Sequence, residues 1–252
     1  MTLLLDPRRR AMLREMGVNV WLPTSLPAPA PEAGAEAAVA TPAPAPSTPA
    51  TNASPVARMD WPALREAVAG CTACALCQSR KNTVFGVGAQ RADWMVVGEA
   101  PGENEDLQGE PFVGQAGKLL DNMLAALALG RDRDGAHSVF IANVLKCRPP
   151  GNRNPAPEEI AQCEPFLKRQ VALVQPKIIL AMGRFAVQSL LQSNEPIGKL
   201  RGRVHHYQGV PLVVTYHPAY LLRNLPEKAK AWADLCLARA TLASLSEPPA
   251  SA

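Results

Sequence analysis

The chain has 252 residues, 47% of them apolar, and a formal net charge of +4. That is enough apolar material for one large domain or two small ones with a buried core, and too little charge to name a partner. There is no apolar run of about 18 residues and no signal-type apolar region behind a basic start, so we expect a cytosolic protein with no membrane contact.

Reducing cytosol disfavours structural disulfides, so the six cysteines point to ligation. The basic excess lies entirely in residues 58–252, and part of it gathers in KCRPPGNR (146–153), RGRVHH (201–206) and LLRN (221–224). Patches of this kind suit a phosphate backbone.

At the start of the chain, RRRAMLREMGVNVWLP could form a short helix with Met12, Leu13, Met16 and Val20 on one face. So short a helix is marginal alone, so residues 1–22 either dock back on the domain or are a peptide for a protein partner. Residues 23–57 hold nine Pro and twelve Ala and almost no large apolar side chain, so they read as a disordered linker. The folded domain is expected over 58–246, with residues 247–252 a disordered tail.

From residue 58 the pattern becomes regular. DWPALREAVAGC opens a helix with Asp60 as cap and Pro62 in its first turn. WMVVGE (94–99) is a buried strand and GQAGKLLDNMLAAL (114–127) an amphipathic helix. SVFIANVL (138–145) is a second strand, APEEIAQCEPFLKRQVALV (156–174) a helix, and KIILAMG (177–183) a third strand followed by RFAVQSLL. RVHHYQ, PLVVTYH (211–217) and a helix from about Glu227 to Leu245 complete the domain. Such alternation predicts an α/β fold, a central and mostly parallel sheet of about four strands flanked by helices.

In open α/β sheets, ligands sit beyond the carboxyl ends of the strands. Three predicted strands end in unusual polar sequence: GEAPGENEDLQGEPFVG (98–114), Asn143 with KCRPPGNRNP, and HPAYLLRN (217–224). CTACALC (71–77) adds three crowded cysteines, with Cys147, Cys163 and Cys236 far away in sequence. By spacing alone these could bind zinc or an iron–sulfur cluster, with Cys77 replacing one of the others, or CTAC could be a redox motif.

GEAPGENEDLQGEPFVGQAG, NVLKCRPPGNRNP and HPAYLLRN, with the CxxC and the Cys147 to Cys163 spacing, resemble the family 4 uracil-DNA glycosylases over roughly residues 65–240. These are bacterial and archaeal base-excision enzymes carrying a [4Fe-4S] cluster. The resemblance implies a cluster held by Cys71, Cys74, Cys147 and Cys163, stapling the segment before the first long strand to the loop after the second, with Cys77 a neighbour. Cys236 is expected in the core. It further implies action on uracil-containing DNA, single- or double-stranded; a monomer is the default expectation, in the bacterial cytosol or nucleoid.

Releasing uracil requires flipping the base out and holding it. On the resemblance, Phe112 stacks on the base, Asn143 reads its O4 and N3 edge, and His217 donates to O2 as negative charge develops. Gly98 and Glu99 help to form the pocket.

The best-known uracil glycosylases carry a water-positioning Asp in the first motif, where this chain has Ala100. The nearest carboxylates are Glu99 and Glu105, and the resemblance implies Glu105 as the one that activates water or stabilises the oxocarbenium-like sugar, with Glu103 and Asp106 as solvated loop charges. In the loop after His217, Leu221 or Leu222 is the wedge that enters the base stack, and Arg223 holds a phosphate. Lys146, Arg148 and Arg153 are further phosphate candidates. The alternative from a different class is a non-catalytic iron–sulfur DNA-binding or replication-associated module. A subclass that traps uracil-DNA through a histidine in a basic insert is disfavoured, because PPGNRNP stands there.

Overall fold

The computed structural model describes residues 55–246. The proposed partner peptide (1–22), most of the linker and the tail lie outside the described residues. A 3-10 turn at Pro55–Arg58 already belongs to the fold, with Val56 packed against the core, although composition places 55–57 in the linker.

Six strands form one sheet: β1 (Val87–Gly88), β2 (Trp94–Gly98), β3 (Val139–Asn143), β4 (Ile178–Met182), β5 (Val204–Tyr207) and β6 (Val210–Thr215), in the order β1-β3-β2-β4-β6-β5. The inner four are parallel, and β1 and β5 close the edges antiparallel. The expected four-stranded parallel sheet is thus the centre of a mixed six-stranded one. Every residue of β2, β3 and β4 is buried, which is why these segments read as continuous apolar runs rather than alternating ones.

Alternation reappears in what each side chain meets. Met95 and Val97 join the core on one face with Leu64, Leu167 and Val187, whereas Trp94 and Val96 join the other with Leu120, Leu124 and Leu235. The first face is covered by α1 (Trp61–Ala69), α4 (Pro157–Val174) and α5 (Arg184–Leu191). The second is covered by α3 (Gln115–Ala125) and α8 (Lys228–Ser246). Asp60 caps α1 as expected, accepting the Ala63 N–H at 3.0 Å.

Three short helices do not stand out in the sequence: α2 (Glu103–Gln108), α6 (Ile197–Leu200) and α7 (Pro218–Arg223). None is long enough to show helical periodicity. From β2 the chain crosses to β3 on one side, and from β4 to β6 on the other, so a crevice opens between the carboxyl ends of β2 and β4. No helix among the described residues is long and apolar enough to cross a membrane.

Candidate active site

Around that crevice, Gly98 at the end of β2 pairs in register with Asn143 at the end of β3. A Cβ on Gly98 would stand 2.4 Å from Asn143 Oδ1 and 2.6 Å from Phe112 Cζ. Only glycine lets the carboxamide and the ring approach there. Asn143 is buried, and its Oδ1 has no hydrogen-bond partner among the described residues. An orphaned buried acceptor is costly in a fold and marks a place where a ligand donor fits.

Phe112 lies on the α2–α3 loop, buried, with φ of 55°. That left-handed conformation, unusual for an aromatic residue, persists because the loop is held from three sides. Glu105 Oε1 accepts the N–H groups of Val113 (3.0 Å) and Gly114 (3.2 Å), while its Oε2 accepts Gly102 N–H at 3.1 Å. Arg131 donates to the carbonyls of Pro111 (2.9 Å) and Phe112 (3.0 Å) and pairs with Glu110 and Asp121. Gly117 admits the loop from below, since a Cβ there would fall 1.8 Å from the Phe112 carbonyl oxygen. Neither Arg131 nor Gly117 is singled out by the sequence, where one is a loop charge and the other a helix glycine.

His217 follows β6 and stacks on Phe112, with ring centroids 5.4 Å apart and planes 27° from parallel. Its Nδ1 accepts the Ala219 N–H at 3.1 Å, so the neutral ring carries its proton on Nε2. Burial pushes its pKa down to about 4, with Glu105 opposing and Arg223 assisting. At neutral pH it is an uncharged donor. Beneath it Gly183, with φ of 89°, would bring a Cβ to 3.1 Å from His217 Cβ. Glu99, after β2, has its carboxyl pushed up to about 6 by burial, against the pull of Arg184.

Several expected contacts are redrawn. Lys146 is not a phosphate ligand: it is 1% exposed, and its Nζ donates to the Asn143 carbonyl and to Gln170 Oε1, both at 2.6 Å. Leu221 is not available as a wedge either. Because AYLLR coils into α7, Leu221 turns inward at 1% exposure and Leu222 stays outside at 41%. Arg223 is exposed. Arg148 bonds Asn152 at 2.8 Å and pairs with Glu103 at 3.6 Å. Arg153 is engaged by Glu159, the carboxylate that accepts the Ala156 N–H at the start of α4. Asp106 is a buried acceptor for the N–H groups of Lys81 and Asn82, not a solvated charge.

Away from the crevice, Cys71, Cys74, Cys77, Cys147 and Cys163 line one small pocket together with Arg80 and Lys146. Arg80 Nη1 donates to Cys147 Sγ at 3.1 Å. Burial raises the thiol of Cys147, and that of Cys163 to about 11. No group of three or more His, Cys, Asp or Glu side chains among the described residues is gathered tightly enough to hold a metal ion as it stands. Cys236 is partly buried on α8.

Residues 85–236 match the model of the uracil DNA glycosylase superfamily. The chain is 46% identical over 169 residues to a type-4 uracil-DNA glycosylase of Sulfurisphaera tokodaii, covering 64% of this chain and 75% of the relative. It is 43% identical to the type-4 enzyme of Archaeoglobus fulgidus, over 62% of this chain and 79% of that protein. To the type-4 enzyme of Pyrobaculum aerophilum it is 40% identical over 189 residues, 71% of this chain and 93% of the relative.

Proposed function

The chain belongs to the type-4 uracil-DNA glycosylases of the uracil-DNA glycosylase superfamily, and from that premise we propose that it hydrolyses the N-glycosidic bond of deoxyuridine in DNA. The products are free uracil and an abasic site, the opening step of base-excision repair. It is a monofunctional hydrolase, with no lyase step. The observation that carries the residue assignment is the orphaned Asn143 Oδ1, buried where Gly98, Phe112 and His217 converge.

Uracil offers an N3–H donor beside an O4 acceptor. The Asn143 Oδ1 accepts the first and its Nδ2 donates to the second, whereas cytosine reverses both. The aromatic ring of Phe112 provides the stacking face, worth about 1–3 kcal/mol per base. As the bond breaks, negative charge gathers on the base, and His217 Nε2–H donates to O2. A neutral imidazole can do this without a proton transfer, in a site preorganised before charge develops.

Glu105 stabilises the cationic sugar as the bond breaks. With both oxygens already accepting backbone N–H groups, it is better suited to that role and to holding the Phe112 loop than to removing a proton from water. Leu222 takes the flipped base's place in the stack, and Arg223 and Arg148 contact the phosphates. The protein acts as a monomer in the bacterial cytosol or nucleoid, on single- or double-stranded DNA, and residues 1–22 serve a protein partner.

Cys71, Cys74, Cys147 and Cys163 would hold the [4Fe-4S] cluster. The support is chemical: these thiols line one pocket whose other polar members include two cations and no carboxylate, a setting that favours thiolate ligands. When bound, the cluster supplies a staple between the segment before β1, the loop after β3 and α4.

The test is release of free uracil from a single-uracil oligonucleotide by the cluster-bearing protein, with a thymine-containing strand as control. Uracil but not thymine should be released. Binding without release would overturn the assignment. Gly98→Ala should keep the fold but reduce the single-turnover rate about 100-fold, because a methyl group there displaces Asn143 and Phe112 together and overpacking of this kind costs roughly 1–3 kcal/mol. Near-wild-type turnover by that variant would show that the two groups need not touch.

A further inference from the structure

Lys146 looks in sequence like a surface base, yet it is 1% exposed, and both groups its Nζ meets, the Asn143 carbonyl and Gln170 Oε1, are uncharged. Gln170 is fully buried and passes its own donor to the Phe85 carbonyl at 2.8 Å. The lysine ion pairs among the described residues involve Lys168, Lys177 and Lys230, not Lys146.

A buried ammonium without a counter-charge is strongly disfavoured. What faces Lys146 is sulfur. It lines the thiol pocket beside Cys147 and Cys163. Neutral thiols would not balance its charge, whereas ligating thiolates would.

The same Nζ reaches the crevice. Past the β2–β3 ladder, Val144 N–H is taken by the Gly98 carbonyl at 2.9 Å and Leu145 N–H by the Glu99 carbonyl at 3.0 Å. The Asn143 carbonyl is held by Lys146. That bond fixes the peptide plane after Asn143, and with it the direction in which the carboxamide projects.

We propose that Lys146 is a positioning residue that couples the occupied thiol pocket to the base-reading side chain: thiolates at Cys147 and Cys163 balance its charge, and its Nζ sets Asn143. This rests on the reading of Asn143 given above and extends it to a residue that touches neither DNA nor the cluster.

The test uses full-length, anaerobically purified protein and Lys146→Met, which keeps the bulk and removes the charge. Three quantities are measured in variant and wild type: the visible absorption of the cluster, amide hydrogen exchange through residues 143–147, and single-turnover uracil release. In the cluster-loaded variant, exchange at 143–147 should be about tenfold faster or more and uracil release about tenfold slower or more, the effect of losing one buried charge-assisted hydrogen bond. Affinity for DNA should stay within about twofold of wild type, because Lys146 makes no phosphate contact.

Stripping the cluster from wild type should speed the same exchange, and the substitution should add nothing further in cluster-free protein. Wild-type exchange in the loaded variant, or a stripped wild type as protected as the loaded one, overturns the coupling. If the variant does not take up the cluster, the two cluster-free proteins are compared: equal exchange supports the proposal, and faster exchange in the variant overturns it. If loaded wild type releases no uracil, the glycosylase assignment fails, while the exchange measurements still decide the role of Lys146.

Discussion

Replacing His217 by alanine should slow uracil release in single turnover by about 100- to 1,000-fold while leaving DNA affinity close to wild type, the usual loss when one preorganised donor to a developing anion is removed. Two functions meet in this ring. Its Nδ1 takes the Ala219 N–H at the start of α7, and its Nε2–H is left to face the base. His217→Asn separates them, since asparagine is a good acceptor at a helix start but does not extend to the Nε2 position. The asparagine variant should melt near wild type and be as slow as the alanine variant. A fast asparagine variant would reduce His217 to a cap.

The pH dependence follows from the same burial. The folded pKa of about 4 lies below the value of about 6.5 for an unfolded histidine. Between those values only the unfolded chain binds the extra proton, so the contribution of His217 to stability is full above about 6.5 and is lost as pH falls toward 4. The excision rate should therefore show no inflection at the ordinary histidine pKa. An inflection near pH 6 belongs to Glu99, whose carboxyl is raised to about that value, and Glu99→Gln should remove it. An inflection near 6.5 that survives this substitution would mean that His217 titrates normally.

The second large effect is expected at Glu105. Its carboxylate accepts three backbone N–H groups, and two of them come from the residues directly after Phe112. Alanine removes both the charge and the clamp, so the rate should fall at least about 100-fold and stability by about 2 kcal/mol or more, as several donors lose a charged acceptor. Glutamine keeps an amide oxygen for Val113 and Gly114 but loses the charge. If the charge stabilises the sugar cation, Glu105→Gln should be nearly as slow as Glu105→Ala while melting close to wild type. Nearly full activity in the glutamine variant would leave Glu105 as a clamp alone. Comparison of single-turnover rates with thermal unfolding of both variants decides between them.

The sheet centre and the crevice are readable from local pattern alone. Five-residue apolar runs such as WMVVG and IILAM bury on both faces only in a parallel sheet covered by helices, and the polar stretches that follow them must then meet at one end of it. Gly98, Phe112, Asn143 and His217 stand in or beside those stretches, and the resemblance to the family 4 enzymes implies their roles, as it does those of the crowded cysteines. The fate of side chains with remote partners emerges only on folding. Lys146 looks like any other base in KCRPPGNR until Gln170, on α4, and the Asn143 carbonyl enclose it. Leu221 and Leu222 are equivalent until α7 coils and turns one of them inward. Arg131 is an ordinary loop charge until the strained Phe112 loop lies within its reach. Local pattern reports periodicity and backbone preference, whereas burial of a charge and choice between adjacent leucines depend on long-range contacts that no window of sequence contains.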